Sequence, residues 1–526
     1  MGEDGRDRST SSGVRLAEVV GSIAMATDLG LGMPLEHVLR ACVIATRFAE
    51  ALELPDEDVD ATYWSTLFFG AGCIGTSFEL SAMFGDDISF RRDAFELGES
   101  KVERLRYVVG RAGSNKTGFG KWWAKASLAF GGLSSFMQTF LAHCAVSAHM
   151  AERVGLGERV VACLLQSFEQ PNGKGIPLGL KGDEVLLPIQ IANLANLVEI
   201  TDREQGWEAS LSVARENVGY LDAELVERWC GMASRVLDGV DAESSWDGVV
   251  GHRSPGRDVL TQAELDKALE LLADFADLKA PSFTGHSRAV ASLAVAAGRQ
   301  IGLPDADLDT LRRSALLHDI GRLGVPNTIW DKPGPLTAAE AERVRLHAYY
   351  TDRVLHRSGK LTLLASVASA DHERVDGSGY PKGVTAAASP LLARILAAAD
   401  CYHAMLEDRP HRAALGRATA AGELRDAARA GTLDAAAVDA VLTADGHRAR
   451  KKPAAPAGLT VREVEVLVLA ARGRTTKAIA SELGIAHKTA GNHIERIYEK
   501  TGSRSRAEAA MFAMRSGLLP DWETDP

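Results

Sequence analysis

The feature that most constrains this chain is a frame written twice. LPDEDVDATYWSTLFFGAGCIG, residues 54–75, overlays LPDADLDTLRRSALLHDIGRLG, residues 303–324, at an offset of 249. Between residues 52 and 75, nine of 24 positions match their counterparts, and His37 falls on His286 at the same offset. Beyond this the offset becomes 204, because the first copy carries 45 extra residues. FEQPNGKGIPLG (168–179) then overlays HERVDGSGYPKG (372–383), His143 meets His347, and Asn196 meets Asp400. LDAELV (221–226) and LDAAAV (433–438) close the two copies. A repeat of about 200 residues is domain-sized rather than solenoid-sized. Two related domains are therefore expected, followed by whatever the remaining chain builds.

Both copies read as helical. Leu311, Ala315 and Leu316, then Leu391, Ile395 and Ala399, recur at helical spacing, and no alternating run of β-branched residues persists. DKPGPL (331–336) and DGSGYPKG (376–383) mark loops. SSWDGVVGHRSPG (244–256) reads as the connector between the copies, and GHRARKKPAAPAG (446–458) as an extended Pro/Ala linker to a C-terminal module. The expected domains are 14–245, 259–445 and 458–520, with 446–457 as linker. Six scattered cysteines have neither zinc nor disulfide spacing, and MGEDGRDRSTSSG lacks the basic-then-apolar order of a signal peptide. A cytoplasmic protein is expected. Ala126–Met150 holds no Asp, Glu, Lys or Arg and is long enough to span a bilayer. With four serines, a glutamine, two histidines and no second such segment, it is expected as a buried helical pair and not a membrane span.

The copies differ in chemistry. The second holds His286, His318, Asp319, His347, Asp371, His372 and Asp400, a set of imidazoles and carboxylates suited to divalent Fe, Mn, Ni or Zn. The first has Phe69, Gly70, Ser167, Phe168 and Asn196 at five of those seven places. Those five ligand-type residues are thus not needed to hold the frame. An Asp beside Leu316, Leu317 and Ile320 is expensive to bury without a partner, and a metal supplies one.

HDIGRLGVPNTIWDKPGPLT, His347, DHERVDGSGYPKG and LARILAAADCYHAM together resemble the HD-GYP domains, the HD phosphohydrolases associated with cyclic di-GMP hydrolysis, over about residues 280–440. The resemblance implies two divalent ions, one held by His286, His318 and Asp400, the other by His347, Asp371 and His372, with Asp319 bridging. It implies a bridging water made acidic for in-line attack on a phosphodiester. Arg322 and Lys332, where the family usually has lysines, would neutralise phosphate oxygens. Three departures stand out: Asp371-His372 replaces paired histidines, Arg322 replaces a lysine, and the family's ADxxDA reads Ala399-Asp400-Cys401-Tyr402-His403-Ala404.

Residues 446–516 carry 14 Lys+Arg against 6 Asp+Glu, net +8, which leaves 45 against 64, or −19, elsewhere. A basic module on an acidic body is the footprint of a nucleic-acid binder. Thr460-Val461-Arg462-Glu463 is a capping box opening a helix whose apolar face is expected at Val461, Val464, Leu467, Val468 and Ala471. A short helix, a turn at Gly484 and AHKTAGNHIERIYEKTG complete a helix-turn-helix pattern. In the last segment Lys488, Asn492 and Arg496 oppose inward Ala490, Ile494 and Ile497. LTVREVEVL, KAIASELGI, KTAGNHIERIYEKTG and RAEAAMFAMRSGL resemble the LuxR-type DNA-binding domain across 458–518. That resemblance implies base contacts from Lys488, Thr489, Asn492 and Arg496, phosphate contacts from Lys477 and Lys500, and a homodimer through the last helix along Ala509, Phe512 and Ala513. Ala486 stands where the family often has a serine N-cap.

The expected architecture is all-α: two tandem HD-type helical domains, the first degenerate, then a small LuxR-type helix-turn-helix domain. The expected function is a signalling-linked transcriptional regulator whose phosphodiesterase domain acts on cyclic di-GMP or a related nucleotide. The alternative is a ligand-sensing transcription factor whose second domain binds nucleotide without hydrolysing it.

Overall fold

The computed structural model describes residues 12–96, 101–114, 118, 133–252, 259–446 and 456–519. Their regular elements are all helices, and extended pairing among them is confined to isolated bridges such as Asn172 with Lys181 and Asp376 with Thr385. Two compact units divide at Leu271 and Leu272, with residues 77–81 grouped with the second. The division falls inside the Gln262–Asp277 helix.

In the first unit, Leu16–Leu31 is enclosed by other helices, with 14 of its residues buried, which is why it is apolar nearly all round. His37–Ala51, Asp56–Phe68 and Leu187–Gln205 pack together beside it, and Phe48 meets Trp229 of Ala223–Leu237 edge-on at 5.2 Å. Ser77–Phe84, Asp87–Glu96 and Lys101–Arg111 lie between the first frame and His143, the stretch that holds the 45 extra residues. Of the uncharged Ala126–Met150 stretch, residues 126–132 lie outside the described residues. The rest belongs to one helix, Leu133–Arg153, with Ala142, Cys144, Val146, Ala148 and Met150 buried. Among the described residues, Asp56–Phe84 is the one stretch long and apolar enough to cross a membrane, and its most apolar window is 61% buried inside the protein.

The expected connector at 244–256 is partly structural. Ser245–Gly251 is a helix whose Ser244 hydroxyl accepts from Asp247 N–H, and Trp246 and Val249 are buried. The Trp246 ring stands 3.0 Å from where a Cβ on Gly21 would lie, so the glycine makes room for the indole. Seven residues are too few to show a helical period, which is why the pattern hid this element. Residues 253–258, and 447–455 of the second linker, lie outside the described residues.

The duplication is visible atom for atom. Gly72 N–H donates to Ser147 Oγ at 2.9 Å, and its counterpart Gly321 N–H donates to Thr351 Oγ1 at 3.1 Å. A Cβ on either glycine would strike a backbone carbonyl, His143 O at 2.1 Å and His347 O at 1.9 Å. Glu169 accepts from the N–H groups of Leu178 and Leu180, and Glu373 from those of Lys382 and Val384. The GYP-type loop is thus pinned by a buried carboxylate in both copies, whether or not ligand-type residues accompany it.

The C-terminal module consists of Val461–Ala471, Thr476–Glu482, His487–Thr501 and Arg506–Arg515. The capping box forms: Glu463 N–H donates to Thr460 Oγ1 at 3.2 Å, and Thr460 N–H to Glu463 Oε2 at 2.7 Å. The buried face of the first helix keeps Leu467 and Ala471 of the expected one, with Val464 partly buried against the core, but is rotated from it. Val461 is 73% exposed, while Glu463, Val466, Leu467, Ala470 and Ala471 face inward. VEVLVLAA is apolar on two adjoining faces, so spacing alone could not choose between them. Ala509, Phe512 and Ala513 also lie in this domain's own core, because Arg506–Arg515 packs across Val461–Ala471. That stripe is therefore not a free dimer surface.

Candidate metal centre and DNA-binding face

Five chain segments of the second copy deliver one cluster. His286 opens the His286–Gln300 helix after Gly285, whose left-handed φ of 84° turns the chain into it. His318 and Asp319 end Asp305–Leu317, His347 sits in Ala338–Leu355, Asp371 and His372 follow Thr362–Ala368, and Asp400 lies on Leu391–Met405. Ligand-type atoms lie within 4.8 Å of one another in the sets His286/His318/Asp400, His347/Asp371/His372 and His318/Asp319/Asp371. Asp319 joins them: Oδ2 is 3.3 Å from His286 Nε2 and 2.9 Å from His318 Nε2, while Oδ1 is 3.9 Å from His347 Nε2. Asp400 Oδ1 is 3.2 Å from His286 Nε2.

The imidazoles are aimed by their other nitrogens. His318 Nδ1 bonds to Ala315 O at 2.7 Å, His347 Nδ1 to Val344 O at 2.5 Å, and His286 Nδ1 lies 3.0 Å from Glu407 Oε2. Fixing Nδ1 this way presents Nε2 as the free lone pair, the arrangement that orients metal-binding histidines. Tyr380 of the GYP loop stacks on His372 at 4.7 Å and 16°.

A divalent cation suits this donor set. Asp319 Oδ1, Asp371 Oδ1 and His347 Nε2 are buried without a hydrogen-bond partner, while Asp319 Oδ2 meets His318 and Arg322, and Asp371 Oδ2 meets His372, only as close charge contacts. Unpaired buried polar atoms are costly, and here they converge. Burial is the largest influence on each group. It raises the Asp371 carboxyl well above the usual range, lowers His347 to about 4 and holds His372 well below the usual imidazole range. At Asp319 burial is opposed by Arg322 and His318, which hold the carboxyl well below the usual range, and Asp319 in turn holds His318 high against burial. One side of the cluster thus pairs opposed charges, while on the other burial works against the charged forms, a cost that a cation would offset.

The two expected cations lie differently. Arg322 is buried, its Nη1 2.7 Å from Asp319 Oδ2 and its guanidinium 4.4 Å over the Phe283 ring. Lys332 Nζ is engaged by Glu340 Oε2 at 2.6 Å, at the capped start of Ala338–Leu355. Sequence reading missed Glu407. Its Oε1 is 3.1 Å from His403 Nε2, and Arg409 pairs with its Oε2. The signal was present, since His403 and Glu407 follow Asp400 by three and seven residues, one helical face continued past the helix end, and His403 is itself a departure from ADxxDA.

The first copy fills the same space with other chemistry. Phe69, His143 and Phe168 cluster with ring centroids 4.7 to 6.4 Å apart, and burial lowers His143 to about 4. His37 pairs with Glu199, which also holds Arg203, while Arg40 reaches Asp202 at 2.6 Å. An internal ion-pair network stands where the second copy gathers its ligands.

In the C-terminal domain, Lys477, Lys488, Thr489, Asn492 and Arg496 are exposed. Lys500 instead bonds Glu463 Oε2 at 2.7 Å and Gly458 O at 3.1 Å, joining the end of the third helix to the start of the first. Ala486 makes no side-chain cap at the start of His487–Thr501.

Fold and site together define a metal-dependent phosphohydrolase of the HD type joined to a helix-turn-helix domain. The HD domain family matches residues 270–437, and the bacterial regulatory proteins of the luxR family match residues 457–513. The 3'3'-cGAMP-specific phosphodiesterase 3 of Vibrio cholerae serotype O1 is 32% identical over 406 residues, 76% of this chain and 88% of that protein. A cyclic di-GMP phosphodiesterase of Pseudomonas aeruginosa is 41% identical over 128 residues, 24% of this chain and 31% of its own. The crystal structure of a cyclic GMP-AMP specific phosphodiesterase of V. cholerae matches with a TM-score of 0.58 at 26% identity, covering 83% of this chain and 98% of that one. The chain belongs to the HD-GYP family of cyclic-nucleotide phosphodiesterases, and it carries a LuxR-type DNA-binding domain behind the catalytic one.

Proposed function

We propose that the second domain hydrolyses a 3'3'-linked cyclic dinucleotide, with 3'3'-cGAMP the first substrate to test and cyclic di-GMP the second, and that the C-terminal domain turns this activity into transcriptional control in the cytoplasm. The observation that carries the reading is Asp319, which offers one carboxylate oxygen to each set of ligand-type side chains. His286, His318 and Asp400 would hold one divalent ion, Fe, Mn, Ni or Zn, and His347, Asp371 and His372 a second, with Asp319 between them. When bound, such a pair supplies Lewis acidity and an activated water for in-line displacement at phosphorus.

The chain's own residues do the rest. Glu407, Ala315 O and Val344 O hold three imidazoles in the tautomer that leaves Nε2 free. Arg322, fixed in charge and held against the ligand cluster through Asp319, is assigned to meet charge developing on the phosphate, whereas Lys332 is paired with Glu340 at the start of Ala338–Leu355. Tyr380, stacked on His372, would shield that imidazole from water and hold its plane. The choice of 3'3'-cGAMP rests on the Vibrio cholerae relative, whose similarity extends over most of this chain and not the catalytic domain alone. For DNA, Lys488, Thr489, Asn492 and Arg496 form the reading face and Lys477 a phosphate contact.

Full-length protein supplied with Mn²⁺ should linearise 3'3'-cGAMP in a chromatographic assay, and Asp319→Asn should lose both bound metal and turnover. Failure to cleave either cyclic dinucleotide, or turnover undiminished in Asp319→Asn, would overturn the proposal.

A further inference from the structure

The two segments that hold His286 also seat the DNA-binding domain. The first is the turn just before it. Thr284 Oγ1 donates to Ala471 O at 3.0 Å, and Pro281 lies so close to Gly473 that a Cβ there would come within 2.4 Å of the Pro281 Cβ. Gly285 faces Leu519, whose Cδ1 would stand 3.0 Å from an added Cβ. The second segment follows Asp400. Glu407 lies 3.0 Å from His286 Nδ1, and its neighbour Asp408 pairs with Arg474 at 3.4 Å, just ahead of the Thr475 cap of Thr476–Glu482. A cleft of about 540 Å³ runs along the seam, lined by Thr284, Glu407 and Asp408 on one side and Arg472 and Arg474 on the other.

We propose that this seat is the coupling surface between the catalytic centre and DNA binding: the DNA-binding domain docks on the supports of His286, so an ion held through His286 firms the seat and its loss loosens it. The inference rests on the proposed metal centre. The reading face stays exposed in the docked arrangement, so docking does not cover it. Docking instead holds a module whose residues 458–519 carry 10 Lys+Arg against 6 Asp+Glu, net +4, on a chain that is otherwise −15, where DNA phosphates are repelled. Linkage makes the effect reciprocal, so whatever releases the domain must weaken metal binding by the same factor.

The test uses the full chain, Mn²⁺-loaded or stripped with EDTA, with circular dichroism to show that both are folded. Loaded protein should bind a short random-sequence duplex at least about fivefold more weakly than stripped protein, and trypsin should cut its Arg448–Lys452 run more slowly. Asp408→Arg should erase both differences while the site still fills at saturating Mn²⁺, its affinity lowered by no more than that same factor. The swap Asp408→Arg with Arg474→Asp should restore them. Equal DNA affinity in the two wild-type states, or a difference that survives Asp408→Arg, overturns the proposal. If the wild-type chain takes up no ion, the metal-centre reading has failed. The seat is then judged by trypsin alone, and an unchanged cleavage rate in Asp408→Arg would sink it.

Discussion

Glu407 backs His286. The carboxylate Oε2 lies 3.0 Å from Nδ1, while Nε2 of the same ring faces Asp400 at 3.2 Å and Asp319 at 3.3 Å. This is the carboxylate–histidine pairing that raises the basicity of a metal-binding imidazole and holds its plane. Glu407→Ala should therefore weaken metal affinity by roughly 10- to 100-fold, read by competition with a chelator of known affinity. Glu407→Gln, which can still accept from Nδ1–H, should recover part of that loss. Affinity unchanged in Glu407→Ala would mean that His286 is aimed by something else.

The paired glycines make a second test. Gly321→Ala drives a Cβ to 1.9 Å from His347 O, and Gly72→Ala drives one to 2.1 Å from His143 O. Backbone on both sides cannot yield cheaply, so each change should cost about 3 kcal/mol or more. Gly334→Ala, with nothing within 4 Å, is the control and should stay near neutral. Denaturant titration measures all three, and a Gly72→Ala protein as stable as wild type would contradict the duplicated close approach.

Acid should attack the first copy through Glu199. Burial would raise its carboxyl, but the His37 hydrogen bond, with Arg203 behind it, outweighs burial and leaves it below its ordinary value. A depressed carboxylate contributes stability that is complete above the unfolded pKa and is lost as pH falls through the folded one. Stability should thus decline below about pH 4, and Glu199→Gln should be less stable at neutral pH with a flatter acid limb. A mutant whose acid limb retains the wild-type slope would clear Glu199 of this role.

On DNA, Arg496→Ala should cost about 1 to 3 kcal/mol and relax preference at the position it contacts, provided Arg496 reads a base. An equal loss on every sequence would make it a phosphate contact. Lys477→Ala should instead lower the salt dependence of binding by about one counterion, whereas Lys500→Ala, already engaged with Glu463, should act mainly on domain stability.

What the sequence determined by itself was local or repeated. The doubled frame, the ligand-type residues of the second copy, the capping box at Thr460 and the helix-turn-helix pattern are each written in short windows or in one fixed offset. The all-α class followed from helical spacing such as Leu311, Ala315 and Leu316. Tertiary structure decided what depends on direction: which face of Val461–Ala471 turns inward, that Ser245–Gly251 is a helix buried by Trp246, and that Ala509, Phe512 and Ala513 serve their own domain's core. It also decided that Glu407 stands behind His286 and that Lys332 is engaged elsewhere. A side chain's partner is set by where other segments pass within a few ångströms. His286 and Glu407 are 121 residues apart, so only the folded backbone brings that carboxylate to that ring.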